Sequence, residues 1–286
     1  MMEMSKVVKQ RLAAAQADSV IRDIALAAQG RYDLVDFGDI EDAYDSLEAY
    51  VATVAKAQLR GLILTGPPGV GKTTAVVNML NQHAQGAYKV VAGHMSVVQL
   101  YIELYRHRNQ GEILVLDDVD SAFKSMEGIN VIKAATDTVP QRRVSWATSS
   151  PVLQAWGVPR VFDYSGGVIL ISNETERKGR TGKLAQHIAA IADRLYKVSV
   201  GSTDKDEQFR QLCFQTVRHA LLTSRGLTKQ QETAVLDYIC ENKDSLDRIS
   251  LRTATKIADL VKLEPQHWRA MARIGVLNNI DHYGAE

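Results

Sequence analysis

Cysteine is scarce in this chain. Cys213 and Cys240 are the only two in 286 residues, and their separation fits neither a zinc site nor a redox pair. They are expected to be free thiols on helix faces in a reducing compartment. An excess of either charge sign is missing as well. The 34 basic and 33 acidic residues leave a net charge of +1, so any affinity for nucleic acid or another polyanion must come from a local patch. No apolar run is long enough to span a bilayer, and the first residues do not read as a secretion signal. The expectation is a soluble, cytoplasmic protein with no membrane partner. Internal repeats and low-complexity tracts are lacking too. What remains is ordinary globular sequence, 45% hydrophobic, with a length that suits about two domains.

The chain is organised around Gly66-Pro67-Pro68-Gly69-Val70-Gly71-Lys72-Thr73, which meets the P-loop pattern G-x-x-x-x-G-K-[ST] at each specified position. Gly61 to Thr65 reads as a buried strand entering the loop. From Thr74 onward Val76, Met79 and Leu80 share one helix face. A strand, a glycine loop and a helix in that order form an anion cradle: backbone N–H groups converge on phosphate oxygens and the helix N-terminus adds partial positive charge. Pro68, Gly69, Val70, Gly71, Lys72, Thr73 and Thr74 are the expected phosphate contacts. Lys72 carries the full charge, and the Thr73 hydroxyl suits Mg²⁺. The competing reading is a chance glycine turn, which the flanking strand and helix disfavour.

Ahead of this core, residues 1–36 form an N-terminal segment. Met1 to about Gly30 has a helical pattern with Ile21, Ile24, Ala25 and Ala28 on one face, suited to packing, oligomer contact or a docking arm. The acidic run Asp39, Glu41, Asp42, Asp45 and Glu48 reads as a solvated helix face. Over 37–201 strands alternate with helices. Leu62–Thr65, Tyr88–Ala92, Ile113–Leu116, Val168–Ser172 and Tyr196–Val200 predict an α/β fold with a five-stranded parallel sheet flanked by helices. Ligands of such sheets sit at the carboxyl ends of the strands. Residues 202–286 lack strands. Helices are expected over Asp204–Ser224 and Thr228–Asn242, after a Ser250 cap, and from Pro265, which together make a small all-helical C-terminal domain.

Two further strand ends carry polar groups. Ile113-Leu114-Val115-Leu116 runs into Asp117-Asp118. Asp117 is placed to hold Mg²⁺ through water, and Asp118 to polarise an attacking water. The plainer role for Asp118 is an N-cap for a helix near Ser121. Val168 to Ser172 ends at Asn173, whose amide suits an attacking water or a terminal phosphate, or else satisfies its own turn. Between them, about 139–166, Arg143–Thr148 and Pro159–Tyr164 predict a hairpin joined through Ser149–Gly157. Arg142, Arg143 and Arg160 at its base suit phosphates and Trp156 suits a base stack. The alternative is a hairpin packed on its own sheet with Trp146 and Trp156 as core.

In the order P-loop, Asp117-Asp118, Asn173, arginine, helical region with a second arginine, the chain resembles the AAA+ ATPase family of P-loop NTPases over roughly Phe37 to Arg273. The resemblance implies ATP and Mg²⁺ as cofactors, Asn173 as the sensor-1 residue, and the C-terminal helices as a lid. It implies Arg194 as the finger that reaches a neighbouring subunit's nucleotide, with Arg177 and Arg180 as rivals. Arg252 in Ser250-Leu251-Arg252 resembles the sensor-2 arginine. Both arginines suit charge developing on phosphoryl oxygens. The family usually has Glu where this chain has Asp118, which puts the rate of hydrolysis in question. Asp117-Asp118-Val119-Asp120, with Phe162 followed by Gly166-Gly167 and Ile171-Ser172-Asn173, resembles a tailed-phage subset, which would place the protein in a host cytoplasm.

The implied function is an ATP-hydrolysing ring, a homo-oligomer and by family habit a hexamer. It would remodel DNA or nucleoprotein as a motor, helicase or helicase loader, through the hairpin and a loop at His94-Met95. A protein-remodelling chaperone using Met95 or Trp156 predicts stimulation by a protein partner instead. A small-molecule P-loop kinase predicts a monomer that phosphorylates an acceptor. A non-hydrolysing scaffold follows if Asp118 is too short to act.

Overall fold

The structure, a computed structural model, describes residues 32, 35–84, 86–119, 125–173, 189 and 191–277. The helix expected over Met1 to Gly30, the rival arginines Arg177 and Arg180, and most of the helix leading to Arg194 lie outside them. The described chain forms two compact units. One comprises 43–67 and 71–200; the other comprises the residues up to 42, Pro68–Val70 and 201 onward.

The first unit is built on β1 (Gly61–Thr65), β2 (Tyr88–Ala92), β3 (Ile113–Asp117), β6 (Gly167–Ser172) and β7 (Tyr196–Ser199). These strands form one sheet in the order β2-β3-β6-β1-β7, and each neighbouring pair is parallel. The order follows from burial. Leu62, Leu64, Leu114, Leu116, Val168 and Ile169 are buried on both faces of the sheet, which suits central strands, while the less buried β2 and β7 take the edges. The helix α1 (Gly38–Ala55) precedes β1, and α2 (Lys72–His83), α3 (Val97–Arg106) and α4 (Met126–Ala135) lie in the crossovers from β1 to β2, β2 to β3 and β3 to β6. In α3, Leu100, Tyr101 and Leu104 enter the same hydrophobic cluster as Leu114, Leu116, Val168 and Leu170.

The insertion is a hairpin with a helix at its tip. β4 (Arg142–Ser145) pairs antiparallel with β5 (Val161–Tyr164), and α5 (Pro151–Ala155) fills the expected turn. Ser150 caps that helix by accepting from the Leu153 amide, and Pro151 stands at its first position. Trp146 packs against Tyr101 with 5.4 Å between ring centroids. Trp156 is instead 58% exposed, with the Arg106 guanidinium 4.7 Å from its ring centre. The two tryptophans therefore divide between packing and surface.

The second unit is helical from Gly201 onward: α6 (Lys205–His219), α7 (Lys229–Glu241), α8 (Leu251–Leu263) and α9 (Trp268–Gly275). α6 ends five residues before the expected Ser224, where Ala220 takes a left-handed φ of 52°. α9 starts at Trp268 rather than at Pro265. The acidic run is not simply solvated. Asp39 pairs with the buried Arg210 at 2.8 Å, and Glu41 with Arg218 at 2.7 Å. Phe37 meets Phe214 edge-on beside them.

Candidate functional site

Because β1, β3 and β6 are adjacent and parallel, their carboxyl ends bring three separated sequence motifs together. Gly71 closes the glycine loop in a left-handed conformation and serves as the N-cap of α2, with no side-chain hydrogen bond to the helix. By contrast α3 to α8 all start on a Ser, Thr or Asp whose side chain accepts a backbone amide. The first turn of α2 thus keeps its amides for an external anion.

Lys72 is only 5% exposed. Its ammonium donates to the Gly66 carbonyl at 3.0 Å, to the Pro67 carbonyl at 2.9 Å and to Asn173 Oδ1 at 2.8 Å. Asn173 donates through Nδ2 to both carboxylate oxygens of Asp118, at 2.6 and 2.5 Å. One amide therefore links the P-loop cation to the candidate general base. Asp118 itself has a φ of 52°, and its amide donates to the Ile171 carbonyl at 3.1 Å. This residue bonds across to the end of β6. Its alternative role at a helix start near Ser121 falls partly outside the described residues, and α4 is capped by Ser125. The turn reading of Asn173 gives way to a bridge between two strand ends.

Thr73 Oγ1 donates to Asp117 Oδ2 at 2.7 Å. A hydroxyl and a carboxylate in contact are two of the oxygen donors that Mg²⁺ takes, the rest being water and phosphate. This fits the finding that no group of three or more His, Cys, Asp or Glu side chains among the described residues is arranged to hold a metal by itself. Thr74 is exposed in the first turn of α2. The residues present fit a Mg²⁺-bound nucleotide: the uncapped helix start, Lys72 and Thr73 for the phosphates, Thr73 and Asp117 for the ion.

Pro68, Gly69 and Val70 count with the helical unit. There the Gly69 carbonyl accepts from the Leu251 amide at 2.9 Å. Gly69 has a φ of 85°, and a Cβ on it would lie 2.7 Å from Ser250 Cβ. Only glycine fits this position. Arg252 follows Leu251 in the first turn of α8, exposed. Arg194 stands just before β7, at the strand end opposite the glycine loop.

Among the expected surface contacts, Met95 is buried in the core, because Gly93 turns the chain and leaves only His94 outward. Arg142 is buried and donates to the Ala135 carbonyl. Arg143 pairs with Asp163, and Arg160 is tied to the Trp146 and Ala147 carbonyls. The hairpin arginines are thus engaged within the protein. No described helix is long and apolar enough to cross a membrane.

Comparison with known proteins agrees with this geometry. The model of the ATPase family associated with various cellular activities (AAA) matches residues 62–145, which cover the glycine loop and Asp117-Asp118. That match spans less than a third of the chain, and the described architecture has the AAA+ P-loop NTPase fold. Within that class the chain is similar to an uncharacterised 36.7 kDa protein of Enterobacteria phage T4, from the nrdC-mobD intergenic region. The two are 28% identical over 84% of this chain and 79% of the phage protein. Two mutant structures of Thermotoga maritima RuvB share the fold, with TM-scores of 0.52 and 0.51 at 13% and 14% identity. Each alignment covers 82% of this chain, and 69% and 68% of RuvB respectively.

Proposed function

We propose that the protein is a Mg²⁺-dependent ATPase that works as a head-to-tail ring and couples turnover to remodelling of DNA or nucleoprotein. The observation that carries this reading is the hydrogen-bonded line Lys72–Asn173–Asp118 beside the Thr73–Asp117 pair. Mg²⁺·ATP, when bound, supplies the transferable phosphoryl group. Lys72 and the α2 amides hold the phosphates. Asp118 takes the proton of the attacking water, and Asn173 fixes both the carboxylate and the ammonium, so that base and cation keep one geometry. Arg194 cannot serve its own glycine loop, since β1 puts five residues between the two strand ends, roughly 16 Å. It serves the nucleotide of an adjacent copy, and a closed ring satisfies that head-to-tail relation. Arg252 is assigned the same electrostatic role within its own chain, one residue beyond the amide that holds Gly69.

For the substrate, support comes from the fold shared with RuvB, a protein described as a Holliday junction branch migration motor, and from the exposed Trp156 as a stacking platform. The test is steady-state ATPase turnover with single-stranded DNA, double-stranded DNA or unfolded protein. DNA is expected to raise the rate, and rising salt to abolish that effect. Stimulation by unfolded protein alone would instead make it a protein remodeller. Tight ATP binding without turnover would make it a scaffold.

A further inference from the structure

Trp156 follows α5 and is 58% exposed, yet its indole is held in place. The Arg106 guanidinium lies 4.7 Å from the ring centre, within cation–π range. Arg106 ends α3, and Gln99, Glu103 and Arg106 fall at i, i+4 and i+7 on one face of that helix. Glu103 Oε1 accepts from Arg106 Nη1 at 3.2 Å and from Gln99 Nε2 at 2.7 Å. His107 Nδ1 lies 3.8 Å from the other carboxylate oxygen. The Glu103 side chain is only 9% exposed, so a buried carboxylate is dedicated to fixing one surface guanidinium. Around it α3 packs on the insertion, with Tyr101 and Tyr105 both meeting Phe162 edge-on. The rotamers of Arg106 and Trp156 are thereby narrowed before any ligand arrives. The surroundings are basic. Arg108 donates to the Tyr105 carbonyl at 2.6 Å, and the exposed Arg160 to the Trp146 and Ala147 carbonyls. Carbonyl partners leave both charges in place. A flat ring with a guanidinium on one face and positive charge alongside suits a base and its phosphates.

We propose that Arg106, set by Glu103, is the positioning residue that presents the open face of Trp156 to an unpaired base, a role that rests on the DNA reading above. This surface then takes single-stranded nucleic acid in preference to duplex, with Arg160 on an adjoining phosphate. In a duplex each base is already stacked on both faces and paired at its edge, so none is offered to a flat ring. A single strand offers one with little unstacking. Arg106 contacts the indole and not the strand, so it acts through the ring.

Binding is read without nucleotide, by the anisotropy of a fluorescein-labelled oligothymidylate titrated with the full chain, and by tryptophan emission with the unlabelled strand. Saturable binding is expected, about tenfold or more tighter than to a duplex of the same length, with Trp156 emission quenched. Trp156→Ala should weaken the single strand about tenfold and leave the duplex unchanged. Arg106→Gln should weaken it about threefold with its salt dependence unaltered. Arg160→Gln should instead flatten the slope of log affinity against log salt by about 0.7. Glu103→Gln tests the sign. Removing a negative charge favours a polyanion, while a loosened Arg106 weakens the stack, and weaker binding is expected. Thermal melting checks that each variant folds; Arg106 and Trp156 are surface residues, and their variants carry the test if Glu103→Gln does not fold. Absence of saturable binding, equal affinity for single strand and duplex, or unaltered affinity in Trp156→Ala or Arg106→Gln overturns the proposal. So does a salt slope flattened by Arg106→Gln, tighter binding by Glu103→Gln, or quenching of Trp156 by unfolded protein and not by oligothymidylate. A chain that binds the single strand as expected but hydrolyses no ATP keeps the platform and loses the motor reading. DNA-stimulated turnover with both surface variants binding normally does the reverse.

Discussion

Asp118 shows how one backbone angle constrains the side chain proposed as general base. Its φ of 52° lies where Asp and Asn are tolerated better than longer side chains. Asn173 already reaches both of its oxygens. A shorter acid in this position is therefore a fitted one. Asp118→Glu is expected to leave single-turnover hydrolysis no faster than in the unaltered chain, and Asp118→Asn to slow it about 10²–10⁴-fold with ATP still bound. A rate gain with Glu would show that the Asn173 bridge does not position the base. At Cys213 burial pushes the thiol pKa well up, so the thiolate that reacts with alkylating reagents is suppressed. Cys213 is expected to resist iodoacetamide at pH 8 until denaturant is added, with Cys240 labelled first, as mass spectrometry of the two peptides would show.

At the level of elements, Gly69 and the start of α8, which belong to the same unit, meet through one carbonyl. Gly69→Ala places a methyl 2.7 Å from Ser250 Cβ at a positive φ. Left-handed strain of about 1–2 kcal/mol, with a clash added, should lower stability by about 2 kcal/mol or more in chemical denaturation. Thr228→Ala is a milder element-level test. Thr228 and Gln231 form a reciprocal capping box on α7, and its loss should cost about 1 kcal/mol. The strands, most helices and the Ser250 cap were legible because hydrophobic period and cap chemistry are local signals. The short helix α5 is hidden between two alternating strand patterns, although Ser150-Pro151 announces a helix start. The pairs Asp39–Arg210 and Glu41–Arg218 could not be read at all. Their partners lie about 170 residues apart, and no local pattern links them.

For the whole molecule, the assignment of Arg194 to a neighbour's nucleotide makes the most exposed prediction. Lys72→Ala and Arg194→Ala chains should each be inactive alone. Mixed, they should recover part of the ATPase rate, since some interfaces then join an intact glycine loop to an intact arginine. Sedimentation in the presence of ATP should show the same assembly in both variants. If Arg194→Ala assembles and hydrolyses at the normal rate, the arginine has no part in the reaction. The exposed Trp156, by contrast, should matter only to the substrate: Trp156→Ala is expected to keep basal turnover and lose stimulation by DNA.

The amino-acid sequence by itself determined the phosphate cradle, the alternating strands and helices and the acids at the end of β3, because each is written in adjacent residues. Only the tertiary structure decided that Asn173 joins Lys72 to Asp118, that Met95 turns inward while Trp156 faces out, and that Arg106 lies over the Trp156 ring. Strand order and packing bring those groups together across long stretches of chain, and a one-dimensional pattern carries no information about which distant side chains will compete for the same hydrogen bond or the same charge.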